Sequence, residues 1–258
     1  MELFDGPIFV INLKDSDVRL QSAKEQLTAV NLDFQRIEAV DGRNRLSTDF
    51  ANYDSDAAVK FFGRDLKSGE IGCYLSHVKA AQAFLDSGAE LGLVFEDDFR
   101  GVSQSWQIIQ ELTKFLKLDA CPDWEMINLG RAPRLFTRKL TEFSTDSAQT
   151  YTLFQAFYFP VIATAILWSK DGAARFLEEA AIPEAPVDHM FRYLMSQSGM
   201  GLALDPAPFS ILNGTSDIAQ ASQNTHQKIK ANWLLMKKSE ASRQMASFKR
   251  AIFRKWMK

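Results

Sequence analysis

Short apolar runs alternate with amphipathic segments along most of this chain. Residues 8–13 (IFVINL) lie between a Gly-Pro pair and charged residues, which predicts a buried strand. A helix capped by Asp17 follows, and residues 34–40 alternate as a second strand that ends at the turn Asp41-Gly42. A strand, a helix and a second strand in succession predict a sheet with crossover helices.

The same order continues towards the C-terminus. A helix capped by Ser68 is predicted through residue 84, and a helix capped by Ser169 through residue 177. Residues 43–68 are irregular apart from a helical stretch near 57–62, and residues 131–150 have no periodicity, so the second segment is predicted as a long functional loop. The other predicted strands are 91–95, 124–129, 161–168 and 201–204, and the other helices are 103–118 and the segment from Asp188 to Met195.

Composition narrows the class of protein only slightly. The chain is 46% hydrophobic and 24% charged, as in ordinary globular proteins. Its two cysteines exclude a disulfide scaffold and a thiolate zinc site, and they fit a reduced compartment. Acidic residues stand where a signal peptide needs basic ones, and no apolar stretch approaches the roughly 18 residues of a spanning helix. We therefore expect a cytoplasmic protein.

Residues 228–258 differ from the rest of the chain in charge. They contain ten Lys or Arg and one acid, Glu240, a net charge of +9, so residues 1–227 carry −11 of the total of −2. Trp, Phe, Leu and Ile are interspersed among these bases, as in helices that lie in a membrane interface, although a solvated terminal helix is the alternative. We expect one domain over 1–227 and a basic amphipathic tail over 228–258. The tail would dock on anionic lipid at the inner face of the cell membrane, and the acidic body gives no reason to expect nucleic acid.

Three adjacent acids, Glu96, Asp97 and Asp98, directly follow the apolar run at 91–95. Adjacent carboxylates repel one another, and a bound divalent cation would offset that repulsion. Mg²⁺ and Mn²⁺ prefer oxygen ligands and are bound by one or two carboxylates together with substrate phosphates. Because ligands of open α/β sheets bind beyond the carboxyl ends of strands, the triplet is predicted as a metal site, with a solvated acidic turn as the alternative.

An ordered set of motifs across residues 8–218 resembles glycosyltransferase family 25. That family joins an I-N-L strand, an Arg-bearing helix, R-I-x-A-V-D-G, G-E-I-G-C-x-L-S-H and a strand that ends in E-D-D. The matching segments here are Ile11-Asn12-Leu13, Arg19, 36–42 (RIEAVDG), 69–77 (GEIGCYLSH), 94–98 (VFEDD), 127–130 (INLG), Pro186-Val187-Asp188 and Ser216-Asp217-Ile218. The ordered set is much more specific than any single motif in it.

The resemblance implies a GT-A-like α/β fold, with a central mixed, mainly parallel sheet flanked by helices. It also implies a UDP-sugar donor, usually UDP-galactose, and inversion at the transferred sugar, with Mn²⁺ or Mg²⁺ as cofactor. The family contains bacterial lipooligosaccharide galactosyltransferases and collagen galactosyltransferases, so the expected acceptor is a glycan or glycolipid of the lipopolysaccharide type. Residues 131–150 match no part of the family pattern.

Asn12, Arg19 and Asp41 are the candidate contacts of the donor nucleotide under this resemblance. Asn12 and Arg19 flank the end of the first strand, and arginine suits phosphate because it offers two parallel donors and stays charged. Asp41 could accept a hydrogen bond from the nucleoside. Without the resemblance, these residues would fit a turn asparagine, a surface arginine and a simple Asp-Gly turn.

Glu70 and His77 lie seven residues apart on one predicted helix and so share a face. Together with Asp97 they are assigned to donor binding, His77 as a contact of the donor phosphate or the leaving group. A histidine satisfied within the core is the alternative for His77, and roles as an acid or a metal ligand stay open. Cys73, between them, is predicted to serve packing.

Asp188 is the predicted catalytic base. An inverting transferase needs a group that takes the proton of the acceptor hydroxyl as the sugar moves. Asp188 heads a predicted helix, so a helix N-cap is its alternative role, and His189 is a weaker candidate base. Glu96, Asp98 and His226 are the candidate metal ligands, and an exposed histidine is the alternative for His226.

The sequence therefore predicts an inverting, UDP-sugar-dependent glycosyltransferase, with residues 131–150 closing over the donor to exclude water. Two other classes stay open. A metal-dependent phosphotransferase or nucleotidyltransferase could use the same carboxylates, although the sequence has no G-x-x-x-x-G-K phosphate loop. A membrane-surface sugar-binding protein without catalysis would keep the fold and the tail.

Overall fold

The computed structural model describes residues 4–179, 182–212 and 232–256. Eight strands form the central sheet: β1 (Ile8–Asn12), β2 (Gln35–Glu38), β3 (Leu91–Glu96), β5 (Met126–Asn128), β6 (Thr137–Ser144), β7 (Thr150–Ala156), β8 (Ala165–Ser169) and β9 (Gly201–Asp205). Their order across the sheet is β2-β1-β3-β8-β5-β9-β7-β6. A second, two-stranded sheet pairs β4 (Phe99–Arg100) with β10 (Ser210–Ile211).

Seven α-helices accompany the sheet in the described part of the chain. They are α1 (Asp17–Thr28), α2 (Ser55–Phe61), α3 (Ser68–Asp86), α4 (Ser103–Leu116), α5 (Lys170–Glu179), α6 (Val187–Ser198) and α7 (Trp233–Trp256). A single 3₁₀ turn, Ser47–Asp49, lies between β2 and α2. No helix among the described residues is long and apolar enough to cross a membrane.

The sheet is mixed, and six of its eight strands run in one direction. β1 pairs in parallel with β2 and β3, and β5 pairs in parallel with β9. Only β8 and β7 are reversed, which gives the antiparallel pairs on either side of each. The predicted class, a mixed and mainly parallel sheet flanked by helices with a C-terminal helix, is confirmed.

Helices cover both faces of the sheet because successive strand residues point to opposite sides. Along β1, Ile8 and Val10 join a core cluster with residues of α1 and α4. Phe9 and Ile11 join a second cluster with residues of α3, α5 and α6. Their burial on both sides explains why β1 is an uninterrupted apolar run rather than an alternating one.

The prediction of a long loop over residues 131–150 is wrong. β6 and β7 pair as an antiparallel hairpin, and β6 forms the edge of the sheet opposite β2. Most side chains of β6 are exposed or half-buried, and its register shifts between Lys139 and Thr141, so no regular apolar alternation marks it in the sequence. Four strands separate β6 from β3, so the hairpin is not a lid over the acidic triplet.

Three smaller predictions also need correction. Asp17 is the first residue of α1 rather than its cap, and Ser16 occupies the cap position. The strand predicted over 161–168 begins only at Ala165. Ser68 is the first residue of α3 rather than its cap, and Lys67 occupies the cap position. There the Lys67 backbone N–H donates to Glu70 Oε2 at 2.8 Å, so the side chain of Glu70 fixes the beginning of the helix.

The C-terminal helix α7 packs on the body of the protein. Arg243 and Ser247 are buried, and the Ser247 hydroxyl donates to Ser196 Oγ of α6 at 3.2 Å. At the beginning of the helix, Met236 lies against Gly63, where an added Cβ would come within 2.3 Å of the Met236 side chain. The part of the basic tail that the structure describes is therefore a helix with one face buried.

Candidate active site

The acidic triplet lies at the carboxyl end of β3, in the turn that leads to β4. Because β3 pairs in parallel with β1 and antiparallel with β8, the triplet lies beside the end of β1 and the beginning of β8. The backbone N–H of Leu212 donates to the Asp98 carbonyl at 2.7 Å, so the residue that follows β10 holds the turn in place. Two clefts meet there, and Cys73, Glu96 and Asp98 line both.

The first cleft lies between the ends of β1 and β2 and the beginning of α3. It encloses about 690 Å³, a figure that includes space open to solvent. Its polar lining includes Asn12, Arg19 and Asp41, together with the triplet. The structure therefore brings four of the predicted donor contacts together at one end of the strands: Asn12, Arg19, Asp41 and Asp97.

Asp97 is the centre of a hydrogen-bond network in the first cleft. Asn12 Nδ2 donates to Asp97 Oδ2 at 2.7 Å, and Arg19 Nη1 donates to Asp97 Oδ1 at 3.3 Å. Burial raises the pKa of Asp97 although both of these contacts lower it. Asn12 and Arg19 therefore have two roles: both line the cleft, and both hold the carboxylate of Asp97 in place.

The rim of the first cleft carries a second ion-pair group. Arg43 Nη2 lies 2.7 Å from Asp41 Oδ2 and 2.6 Å from Asp15 Oδ1. The hydrogen bond from Arg43 lowers the pKa of Asp41, which therefore stays ionised. Asp41 lines the cleft, but its carboxylate already has a cationic partner that the sequence did not reveal.

Close packing explains the glycines of the two longest motifs. A Cβ on Gly42 would lie 2.2 Å from the Ser68 carbonyl oxygen, and one on Gly72 would lie 2.5 Å from the Val40 carbonyl oxygen. The backbone N–H of Val40 also donates to Ser76 Oγ at 2.8 Å. The segments 36–42 and 69–77 therefore fit against each other as the floor of the first cleft, and a side chain at either glycine would separate them.

Glu96 is held by protein groups. His77 Nε2 lies 3.2 Å from Glu96 Oε1, the Cys73 thiol donates to the same oxygen at 3.4 Å, and Thr164 donates to Oε2 at 3.3 Å. Burial raises the pKa of Glu96, but the contacts with His77, Cys73 and Thr164 together outweigh burial and leave the pKa below its usual value. His77 is fully buried with its ring edge-on to Phe191 and lines neither cleft, so it reaches the site only through Glu96.

The ligand atoms of Cys73, His77 and Glu96 lie within 4.8 Å of one another, the one such group of three among the described residues. A thiol and an imidazole suit zinc better than Mg²⁺ or Mn²⁺. Burial and the neighbouring Glu96 raise the pKa of the Cys73 thiol well above its usual range, so the sulfur stays protonated. Cys73 and His77 therefore hold Glu96 in place, and the three residues together do not form an oxygen-rich cation site.

Asp98 differs from its two neighbours because its Oδ1 is buried and makes no hydrogen bond with the described residues. Burial, followed by the charges of Glu96 and Asp97, raises the pKa of Asp98 to about 7. A carboxylate that lacks a partner and is repelled by two others fits a hard divalent cation, which would supply the missing positive charge. Of the predicted metal ligands, Asp98 has the free oxygen, and Glu96 is engaged by other groups.

The second cleft lies between α3 and the beginning of α6, with a volume of about 920 Å³. Asp188 lines it, and burial raises the pKa of Asp188 to about 6. Pro186, not Asp188, occupies the cap position of α6, so the alternative role of Asp188 as a helix cap is not adopted. Burial and nearby arginines lower the pKa of His189 to about 3, which keeps its ring neutral.

Glu70 lines the second cleft and not the first. The structure therefore separates it from Asn12, Arg19 and Asp41, the predicted contacts of the nucleotide. It accepts hydrogen bonds at 2.6 and 2.8 Å from the two guanidinium nitrogens of Arg64. Arg64 and Thr164 also line this cleft and escaped the sequence analysis because no motif contains them. The predicted ligand His226 lies outside the described residues, as does the segment Ser216-Asp217-Ile218.

Comparisons with known proteins find relatives that match part of the chain. Procollagen galactosyltransferase 1-A of Xenopus laevis and procollagen galactosyltransferase 2 of Homo sapiens are 31% and 33% identical to the chain over 128 residues, 48% of it. Inactive glycosyltransferase 25 family member 3 of Homo sapiens is 30% identical over the same length. The matched region is about a fifth, 20–21%, of each relative's own length.

A solved structure of a glycosyltransferase involved in the glycosylation of the major capsid of PBCV-1 aligns with 84% of the chain and 96% of its own length. Its TM-score is 0.43 and its sequence identity 14%. The model of the family described as glycosyltransferase family 25 (LPS biosynthesis protein) matches residues 5–191, which include both clefts apart from Ile211. The chain therefore belongs to glycosyltransferase family 25.

Proposed function

We propose that this protein transfers a sugar from a UDP-sugar to a hydroxyl group of a glycan, with inversion at the transferred carbon. The observation that carries the proposal is that two clefts meet at Glu96 and Asp98, with a further, half-buried carboxylate, Asp188, in the cleft beyond them. A transferase needs two adjoining sites, because the acceptor oxygen must reach the reacting carbon of the bound donor on the side opposite the leaving diphosphate.

The first cleft is proposed to bind the donor nucleotide. Arg19 offers its charged guanidinium to the diphosphate, and the floor made by the Asp-Gly turn and the beginning of α3 approaches the nucleoside closely. Asp98, beside Glu96, would hold Mn²⁺ or Mg²⁺, because its free buried oxygen and raised pKa fit a hard cation. Such an ion would supply positive charge to the leaving diphosphate. Glu96 is oriented by His77, Cys73 and Thr164, whether or not an ion is bound.

The second cleft is proposed to bind the acceptor, and Asp188 is proposed as the general base. With a pKa of about 6, Asp188 is largely ionised at pH 7 and more basic than an ordinary aspartate. It takes the proton of the acceptor hydroxyl as the oxygen attacks the sugar. His189 beside it is neutral and therefore does not repel that proton. The ion pair of Arg64 and Glu70 lines the same cleft and offers polar atoms to an acceptor sugar.

Galactose is the proposed sugar, and a lipopolysaccharide-type glycan is the proposed acceptor. Two of the relatives are named as galactosyltransferases, and the family is described as containing LPS biosynthesis proteins. One relative is named as inactive, which keeps a sugar-binding protein without catalysis as the second candidate. The free oxygen of Asp98 and the raised pKa of Asp188 favour catalysis, because a binding protein has no use for two half-buried carboxylates whose ionised forms are destabilised.

Helix α7 is proposed to dock the enzyme on the cytoplasmic face of a membrane. Its buried face carries Arg243 and Ser247, and the opposite face exposes the apolar side chains of Leu234, Met245 and Ile252. These three recur 11 and 7 residues apart, which keeps them in one stripe. Among the exposed bases that flank the stripe are Lys237, Lys238 and Lys249. Apolar side chains flanked by lysines suit the headgroup region of an anionic bilayer, where a glycolipid acceptor would be confined.

Release of UDP from a panel of UDP-sugars, with and without acceptor glycans, tests the proposed reaction. We expect UDP release from UDP-galactose, dependent on Mn²⁺ or Mg²⁺ and lost in Asp98→Asn. Asp33→Asn is the matched control, because Asp33 is an exposed carboxylate that lines neither cleft. Binding of UDP-sugars without any turnover would favour the sugar-binding protein, and turnover of nucleoside triphosphates would favour the other transferase class.

Sedimentation with anionic vesicles tests the docking proposal. Neutralising Lys238 and Lys249 to Gln should weaken binding about 30-fold, since each lysine near such a surface contributes roughly 1 kcal/mol. The matched control neutralises Lys114 and Lys117, at and just after the end of α4, which line neither cleft. Point variants are preferable to removal of the helix, because Arg243 and Ser247 are part of the packed body. Equal vesicle binding by the two double variants would contradict the proposal.

A further inference from the structure

A separate cavity of about 510 Å³ lies beside the second cleft, between the segments that follow β5 and β7 and the helix α6. Three arginines line it, and the rest of its wall is apolar or aromatic. We call it the arginine pocket, and its defining residues are Arg131, Arg134, Leu135, Tyr158, Pro160 and Arg192. No step of the proposed transfer uses any of these residues.

Positive charge exceeds negative charge in and around the arginine pocket. Arg192 stacks over the ring of Tyr158 at 4.0 Å and donates to the Phe159 carbonyl oxygen at 2.7 Å. Its nearest acid is Glu240 of α7, at 3.5 Å, which Arg243 shares at 2.9 Å. Burial, followed by repulsion from Arg243, lowers the pKa of Arg192 to about 10, although attraction to Asp188 opposes this shift. Glu240 is shared by two arginines, and Glu240 and Asp188 together only partly compensate the charge of Arg192.

The other two arginines leave most of their donors free. Arg131 Nη1 donates to the Val161 carbonyl oxygen at 3.1 Å, its one hydrogen bond through the side chain with the described residues. Arg134 makes neither a hydrogen bond nor an ion pair with the part of the chain that the structure describes. Two exposed guanidinium groups at the mouth of a concave site can each present paired donors to an oxyanion.

Buried Asn128 fixes the position of this pocket relative to the active site. Its amide nitrogen donates to the Ile162 carbonyl oxygen at 2.8 Å, and its amide oxygen accepts from the Arg131 backbone N–H at 2.9 Å. Ile162 itself lines the second cleft. On α6, Arg192 follows Asp188 by one helical turn, so the two residues lie on the same side of the helix. The pocket therefore continues the cleft that contains Asp188.

We propose that the arginine pocket binds an anionic substituent, a phosphate or a carboxylate, on the acceptor glycan. This inference rests on the proposed function only in taking the second cleft as the acceptor site. When one sugar of the acceptor lies at Asp188, the next sugars of the glycan extend over Arg131 and Arg134. A negatively charged group on them would neutralise the excess positive charge of the arginines. The pocket would thus select glycans that carry negative charge over neutral ones.

Titrations of the full-length protein test this proposal, with UDP and Mn²⁺ at saturation so that sugar phosphates cannot enter the first cleft. The probes are glucose 6-phosphate, mannose 6-phosphate and galacturonate, each compared with its neutral hexose, and inorganic phosphate alone. Binding is followed by NMR or calorimetry for the wild type, for Arg131→Gln/Arg134→Gln, and for Lys114→Gln/Lys117→Gln, which loses the same charge elsewhere. The altered arginines are exposed, so the fold should be retained.

We expect at least one anionic sugar to bind about tenfold or more tightly than its neutral counterpart, and the arginine variant to lose that preference while the lysine variant keeps it. Equal binding of charged and neutral sugars, or an unchanged preference in the arginine variant, would overturn the proposal. Inorganic phosphate binding as tightly as every sugar phosphate would make the pocket a simple anion site and overturn it as well. Loss of anionic-vesicle binding in the arginine variant, with an unchanged sugar preference, would assign the pocket to a lipid headgroup instead. UDP-sugar turnover is measured separately, so failure of the proposed transfer leaves this result readable.

Discussion

Replacing Asp98 with Asn should make the metal-free protein more stable at pH 8, although it removes the proposed activity. In the folded protein the pKa of Asp98 is about 7, whereas an aspartate in an unfolded chain has a pKa of about 3.9. The folded state therefore holds a proton that the unfolded state releases. The stability that this proton contributes is present in full below about pH 4 and is lost as the pH rises through about 7.

The size of the effect follows from those two pKa values. Between pH 5 and pH 8, Asp98 alone should lower the free energy of unfolding by on the order of 3 kcal/mol, because one pKa unit corresponds to about 1.4 kcal/mol. Asn has nearly the same shape and stays neutral throughout, so Asp98→Asn removes this loss. Asp97 and Asp188 also have raised pKa values, so a smaller pH dependence should remain in the variant.

Urea unfolding in the presence of EDTA at pH 5 and pH 8 measures this difference for the wild type, Asp98→Asn and the control Asp33→Asn. We expect Asp98→Asn to exceed the wild type by on the order of 2 kcal/mol or more at pH 8 and by less at pH 5. Adding Mn²⁺ at about 100 times its Kd should then stabilise the wild type by about 2.7 kcal/mol and leave the variant unchanged. If all three proteins lose the same stability between pH 5 and pH 8, Asp98 is not a destabilised carboxylate and the case for a cation there fails.

Three further predictions concern the two clefts. Asp188→Asn should lower kcat by roughly 10²- to 10⁴-fold and leave the Kd of the UDP-sugar unchanged, as measured by steady-state kinetics and calorimetry, because a base acts on the acceptor. Arg19→Gln should weaken UDP binding by about tenfold in calorimetry, because a charge that faces the diphosphate is lost. Gly42→Ala should lower the free energy of unfolding by about 1–3 kcal/mol and weaken UDP binding, because its Cβ would lie 2.2 Å from the Ser68 carbonyl oxygen.

Each of these results has an outcome that would contradict its reasoning. Loss of donor affinity in Asp188→Asn would place Asp188 at the donor site, and the base would have to be another group. An unchanged UDP affinity in Arg19→Gln would mean that Arg19 serves only to hold Asp97. Wild-type stability in Gly42→Ala would mean that the turn moves away from α3 at little cost, so the tight floor of the first cleft would not be essential.

Local patterns allowed much of the sheet and half of the site to be predicted. The strands β1 and β3 are buried on both faces, so each is an uninterrupted apolar run, and the acids that follow β3 must lie at its carboxyl end. The hairpin β6–β7 left no such pattern, because β6 is an edge strand whose side chains are mostly exposed. β6 joins the sheet only by pairing with β7, which in turn pairs with β9.

The sequence by itself determined the family, the alternation of strands and helices, and the position of three carboxylates at the end of β3, because these depend on residues close together in the chain. Only the tertiary structure decided which of those carboxylates is free. Glu96 is engaged by His77 and Thr164, 19 and 68 residues away, whereas an oxygen of Asp98 is left without a hydrogen-bond partner among the described residues. The arginine pocket likewise joins the segments after β5 and β7 to α6. Such contacts arise from packing between distant segments, and no local spacing encodes them.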